Sequence, residues 1–235
     1  MSSAVPFLTR DYIESEADAL LIGYGEKFGP VTKPPIPADD ILNAYLRVAL
    51  DFDDLPTVMN VETDVFGATW IERKQVIIDQ SLDPTDHPER IGRYNFTVGH
   101  ETGHWQLHRI YLLKNADQGT LFEQEQRPTV VCRTSEAKEP IEWQADFFSS
   151  CLLMPKTMIK KYWQAHRNEL GPITLGELRN ASPFNASASN SDDAIIEGFV
   201  KPLAKKFAML PIAMRIRLET LGLIVREEYP TFFGL

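Results

Sequence analysis

Three of the chain's five histidines, His100, His104 and His108, stand four residues apart in "TVGHETGHWQLH" (97–108), with Glu101 directly behind the first. No other stretch restricts the fold so tightly. The pattern around it, from about Pro88 to Leu113, has helical periodicity. On an α-helix, residues four apart are displaced by ~6 Å along the axis and about 40° around it, so His100 and His104 can grip one ion. His108 lies ~12 Å along the axis from His100, too far in a continuous helix to join one tetrahedral shell with bonds of ~2.0–2.1 Å. Two of the three are therefore ligand candidates, and His108 is not.

Glu101 falls beside the ligand face, close to the ion but poorly aimed for ligation. A general base for a metal-activated water would stand there, and His-Glu-x-x-His on a helix is a zinc metallopeptidase signature for this reason. The competing reading is a chance match on an amphipathic helix with hydrogen-bonded core histidines. A catalytic zinc needs a third protein ligand and an open position. A third histidine six residues after His104 is ruled out, because Ile110 stands there. A carboxylate from a second helix is the other common solution. Glu142 in "IEWQADFF" is a candidate, with a solvated glutamate in the first turn as the bland alternative. Asp146, one turn later, could orient a ligand imidazole through its free N–H. Gly103 and Ala145 lie in matching positions on the two helices and leave room for a close crossing.

The rest of the chain organises around these two segments. Residues 11–29 read as an amphipathic helix ended by Gly29-Pro30, followed by a proline-rich joint and a second helix over 38–50. "GATWIERKQVIIDQSL" (67–82) alternates as two strands turning at Arg73-Lys74, "TVVCRT" as another strand. One strand in 67–79, as a free edge, could pair with an extended substrate. A helix before Pro155 carries Glu142, and another runs towards a Gly171 cap. "NASPFNASASNSDD" (180–193) has linker composition. The expected domains are residues 1–37 (helix and joint), 38–179 (site domain), 180–193 (linker) and 194–235 (a small helical module). The fold class is α+β.

The formal charge of −9 gives no general attraction to nucleic acid or anionic membrane. No apolar run nears the ~20 residues that cross a bilayer, and the first residues lack a signal-peptide pattern. Cys132 and Cys151 cannot make a disulfide framework and read as buried thiols. The expected compartment is the cytoplasm, with no membrane partner.

"FTVGHETGHWQLH" followed by "PIEWQADFFSSCLLMP" resembles the ImmA/IrrE family of bacterial and phage zinc metallopeptidases, tightly over about 95–155. The departure is Ser149-Ser150, where alanine is more usual. The resemblance implies a gluzincin-like domain, a small sheet with the His-Glu-x-x-His helix and a second ligand helix. It implies one Zn2+ held by His100, His104 and Glu142, with Glu101 as catalytic base. His108 belongs to the pattern too. It either lines the substrate groove and stabilises the oxyanion, or is a structural histidine. Tyr94 and Tyr111 are oxyanion candidates with the same core alternative.

"LAKKFAMLPIAMRIRLETLGLI" (203–224) has the helix, break and helix of a helix-turn-helix, with Lys201, Lys205, Lys206, Arg215 and Arg217 as a basic tint. Direct DNA binding is the less favoured reading, because Glu219, Glu227 and Glu228 dilute that charge. The leading function is a zinc endopeptidase. By the resemblance, its substrate is a Cro/repressor-type helix-turn-helix repressor, whose cleavage derepresses stress, mobile-element or prophage genes. The alternative is a DNA- or protein-binding transcriptional regulator with a structural or vestigial zinc. General peptide turnover, or a toxin with broader targets, is a third reading.

Overall fold

Thr9 starts the first helix: its hydroxyl accepts a hydrogen bond from the Tyr12 amide, and α1 (Arg10–Phe28) runs to Gly29 at φ +100°, a conformation glycine tolerates. The computed structural model describes residues 5–62, 64–116, 128–133, 140–169, 171–181 and 191–226. Among these, the fold is mixed α+β, mostly helical with a small sheet. Internal contacts divide the chain into Met1–Pro155 and Lys156–Leu235. This division falls earlier than the expected boundary at 179.

In the first unit, the helix expected over 38–50 divides. A short α2 (Ala38–Asp40) widens into a π-helical turn (Ile41–Tyr45), and Arg47 at φ +59° redirects the chain into β1 (Ala49–Asp53). Local pattern could not anticipate this, because the partner of β1 lies more than 20 residues on and supplies its hydrogen bonds. After α3 (Leu55–Met59), strands β2 (Val65–Trp70) and β3 (Gln75–Asp79) form the expected hairpin, with Lys74 at φ +51° in its turn.

The next helix, α4 (Ile91–Gly103), continues through a π-helical turn (His104–His108) into α5 (Arg109–Ala116). Strand β4 (Val130–Arg133) and helix α6 (Pro140–Leu153) follow. The sheet order is β1-β3-β2-β4, with β1 parallel to β3 and the other pairs antiparallel. The expected free edge within 67–79 is thereby corrected, since β2 and β3 each have a strand on both sides and the outer strands are β1 and β4. Leu55, Val65, Ala68 and Trp70 form a core cluster beneath the hairpin. Helix α4 packs on β2 and β3, and α6 packs on both α4 and α1.

The second unit starts with α7 (Lys156–Arg167), which ends earlier than Gly171 because Asn168 takes φ +59°. Buried Trp163 meets Phe199 edge-on at 6.1 Å and donates Nε1–H to Gly171 O at 3.1 Å. Strand β5 (Ile173–Thr174) and α8 (Leu175–Ala181) precede residues 182–190, so most of the expected linker lies outside the described residues. Asp192 and Asp193 belong instead to α9 (Asp192–Lys206), where Ser191 caps the first turn and acidic residues complement its dipole. Pro211 opens α10 (Pro211–Thr220), and β6 (Ile224–Val225) lies parallel to β5. Arg215, 8% exposed, pairs with Asp193, Glu197 and Glu219, and Arg217 is 1% exposed. Two cations of the basic tint are thus buried. No described helix is long and apolar enough to cross a membrane.

Candidate metal centre

Small residues let α4 and α6 cross closely. A β-carbon built on Gly103 would lie 3.1 Å from Ala145 Cα and 3.1 Å from its carbonyl oxygen, and one on Gly99 would lie 2.5 Å from Ser149 Oγ. Ser149 also ties the helices by donating its hydroxyl to Phe96 O at 2.9 Å. The approach sets the histidine face of α4 against the first turns of α6.

There, His100 Nε2 is 3.2 Å from Glu142 Oε2, His104 Nε2 is 3.4 Å from Glu142 Oε1, and the two Nε2 atoms are 2.9 Å apart. Ligands around a tetrahedral zinc with bonds of ~2.1 Å stand ~3.4 Å from one another, so these three atoms are spaced for one ion. They are the group of described residues able to hold a metal. His100 and His104 are buried, Glu142 partly so. Burial alone would lift the Glu142 carboxyl, but hydrogen bonds with His100 and His104 outweigh it and hold the group well below the usual carboxylate range. Asp146 Oδ1 lies 2.8 Å from His100 Nδ1, which leaves Nε2 of that ring directed at the cluster.

Glu101 packs against β2. It is 0% exposed, and Thr69 Oγ1 donates to its Oε2 at 2.6 Å. Its Oε1 is buried without a hydrogen-bond partner. Burial raises the Glu101 pKa, against the lowering effect of His100, His104 and the Thr69 hydrogen bond. The carboxyl thus has one oxygen fixed by Thr69 and one without a hydrogen-bond partner. The orphaned oxygen and the imidazole–carboxylate donor set both fit a divalent ion with a free coordination position.

His108 does not face the cluster. It is fully buried behind His104, with Nδ1 3.0 Å from His104 Nδ1 and Nε2 3.3 Å from Gln144 Oε1. Both ring nitrogens are engaged, a placement that supports the structural alternative over the groove or oxyanion one. Burial first, then His104, pushes the His108 pKa down to about 3, so the ring is neutral. Tyr94 lies two turns before His100, stacked on Phe52 at 5.9 Å, with burial pushing its pKa up to about 12. Tyr111 is half-buried on α5. Cys151 is a buried thiol, whereas the side chain of Cys132 lies outside the described residues.

Sequence reasoning overlooked Thr69, Gly67 and Gln144. Gln144 carried a signal: it shares an otherwise apolar stripe with Phe148 and Cys151, and a buried amide needs partners. Thr69 looks like any strand threonine.

Residues 59–189, more than half of the chain, match the model of the IrrE N-terminal-like domain of the peptidase M78 family. The chain belongs to this family. The matched region holds β2, β3, α4 and α6, and so every residue of the cluster. Family membership supports a peptidase, and the cluster of His100, His104 and Glu142 fits the metal site of a zinc peptidase family. No curated protein matches the chain.

Proposed function

We propose that the protein is a zinc-dependent endopeptidase of the cytoplasm, and that its substrate is a Cro-type helix-turn-helix repressor whose cleavage derepresses stress, mobile-element or prophage genes. The observation that carries the peptidase reading is Glu101 Oε1, a buried oxygen without a hydrogen-bond partner on the residue that follows His100, one of three metal-spaced ligands. A purely structural zinc is closed by four protein ligands and needs no base. That favours the enzyme over a regulator with a vestigial site.

His100, His104 and Glu142 would hold the ion in a gluzincin-like arrangement. When bound, zinc supplies Lewis acidity, which makes water nucleophilic near neutral pH and relieves the charge of a carbonyl under attack. Thr69 pins Glu101 Oε2 and so aims Oε1. Oε1 takes the proton of the attacking water and returns it to the leaving amine. Asp146 keeps His100 turned inward throughout.

The repressor as substrate follows from the family resemblance. The buried pairing of Arg215 is a reason to favour a protein-facing role for the C-terminal helices over DNA binding. The test is incubation of the purified protein with a helix-turn-helix repressor encoded beside its gene, with and without a chelator. The expected result is one chelator-sensitive cut located by mass spectrometry. An intact repressor would remove this substrate, and cutting that persists in chelator would remove the zinc mechanism.

A further inference from the structure

His104 is held from behind by a different chemistry from its neighbour. His100 rests on a carboxylate, Asp146, whereas His104 rests on a neutral imidazole. The π-helical turn His104–His108 brings the two rings to 5.1 Å between centroids and sets Nδ1 against Nδ1. Two such nitrogens 3.0 Å apart can share only one hydrogen if both rings are neutral. Its place is fixed by the far side of His104: if Nε2 offers its lone pair to a metal, Nδ1 must carry the proton.

The polarity then runs in one direction. His104 Nδ1–H donates to His108 Nδ1, His108 Nε2–H donates to Gln144 Oε1 at 3.3 Å, and Gln144 Nε2 donates to Pro6 O at 3.2 Å. Each donor has an acceptor, and the last is a backbone carbonyl that can only accept. Were the order reversed, Gln144 would present its oxygen to an unprotonated nitrogen.

We propose that His108 is the positioning residue of His104: with Gln144 and the Pro6 carbonyl it forms a one-way hydrogen-bond chain that locks the ligand tautomer and ring orientation. This rests on the metal reading above and gives a member of the His-x-x-x-His-x-x-x-His series a role away from the substrate. It also joins the N-terminal arm to the site through the Pro6 carbonyl.

Nitrogen-15 spectra of the zinc-loaded wild-type protein test the chain without a variant. His108 is expected as the Nε2–H tautomer, and the Nδ1–H tautomer would overturn the proposal. Zinc affinity, measured by competition with a chromophoric chelator, gives the energetic side. His108→Leu fills the space without an acceptor and should weaken zinc binding ~10–100-fold. His108→Gln, whose carbonyl can accept from His104, should recover most of that loss. Equal affinity of the Leu variant and wild type, or no recovery with Gln, would refute the positioning role while leaving the zinc site intact. A wild-type protein that binds no zinc would instead defeat the metal reading, and this inference with it.

Discussion

Gly67 and Glu101 meet face to face, so that a β-carbon on Gly67 would lie 2.6 Å from Glu101 Oε1 and 2.9 Å from Thr97 Cγ2. The unpaired oxygen of the carboxylate thus borders on a position where only hydrogen fits. Gly67→Ala must displace either the carboxylate or the helix carrying it, and overpacking of this kind typically costs about 1–3 kcal/mol. The variant is expected to fold less stably by that order in denaturant titration, and to lose peptidase activity at least ~10-fold, given the sensitivity of catalysis to small misplacements. Unchanged activity would mean that Glu101 Oε1 is not aimed by this contact.

Glu101→Gln keeps the shape of the side chain and the three ligands but removes the proton acceptor. Zinc content by elemental analysis should remain at wild-type level, while peptide hydrolysis falls ~10²–10⁴-fold. A variant that still hydrolyses at wild-type rate would refute the base assignment.

Metal removal should be visible as stability. If only the folded state binds the ion, zinc at 100 times its dissociation constant stabilises by about 2.7 kcal/mol. Chelation is therefore expected to lower the thermal midpoint, and zinc to restore it. In Glu142→Ala the two curves should nearly coincide, because one of three ligands is gone. A chelator-sensitive midpoint in that variant would show that Glu142 does not hold the ion.

Tyr94 provides a pH test away from the ligands. Its pKa is raised from 10 to about 12, chiefly by burial, then by Asp39 and Asp83. A raised folded-state pKa means that its contribution to stability is intact below pH 10 and is lost as pH climbs through about 12. Tyr94→Phe should consequently shift alkaline unfolding, followed by circular dichroism, to higher pH. An unchanged alkaline midpoint would contradict the buried position against Phe52.

Much of the framework was legible because it is locally encoded. The α1 stop at Gly29 and the helix start at Pro211 each carry a residue whose backbone preference matches the observed geometry, and the hairpin turn at Lys74 falls where two alternating strands meet. Ala49 and Leu50, the start of β1, fall inside the expected helix because the strand's hydrogen bonds come from Gln75–Asp79, and an isolated segment gives no hint of them. The π-helical turn at His104–His108 was likewise invisible, since the 3.6-residue period assumes a continuous α-helix.

By itself, the sequence determined which side chains one helix could offer: a pair of imidazoles one turn apart, with an acid beside them, follows from spacing alone. Tertiary structure decided what those groups became. Glu142 and Asp146 reach His100 across a helix crossing 42 and 46 positions on, Thr69 buries and pins Glu101 from 32 positions before it, and Gln144 fixes His108 from 36 beyond. The physical reason is that spacing sets angle around an axis, whereas burial and hydrogen-bond pairing depend on which distant segments pack against it.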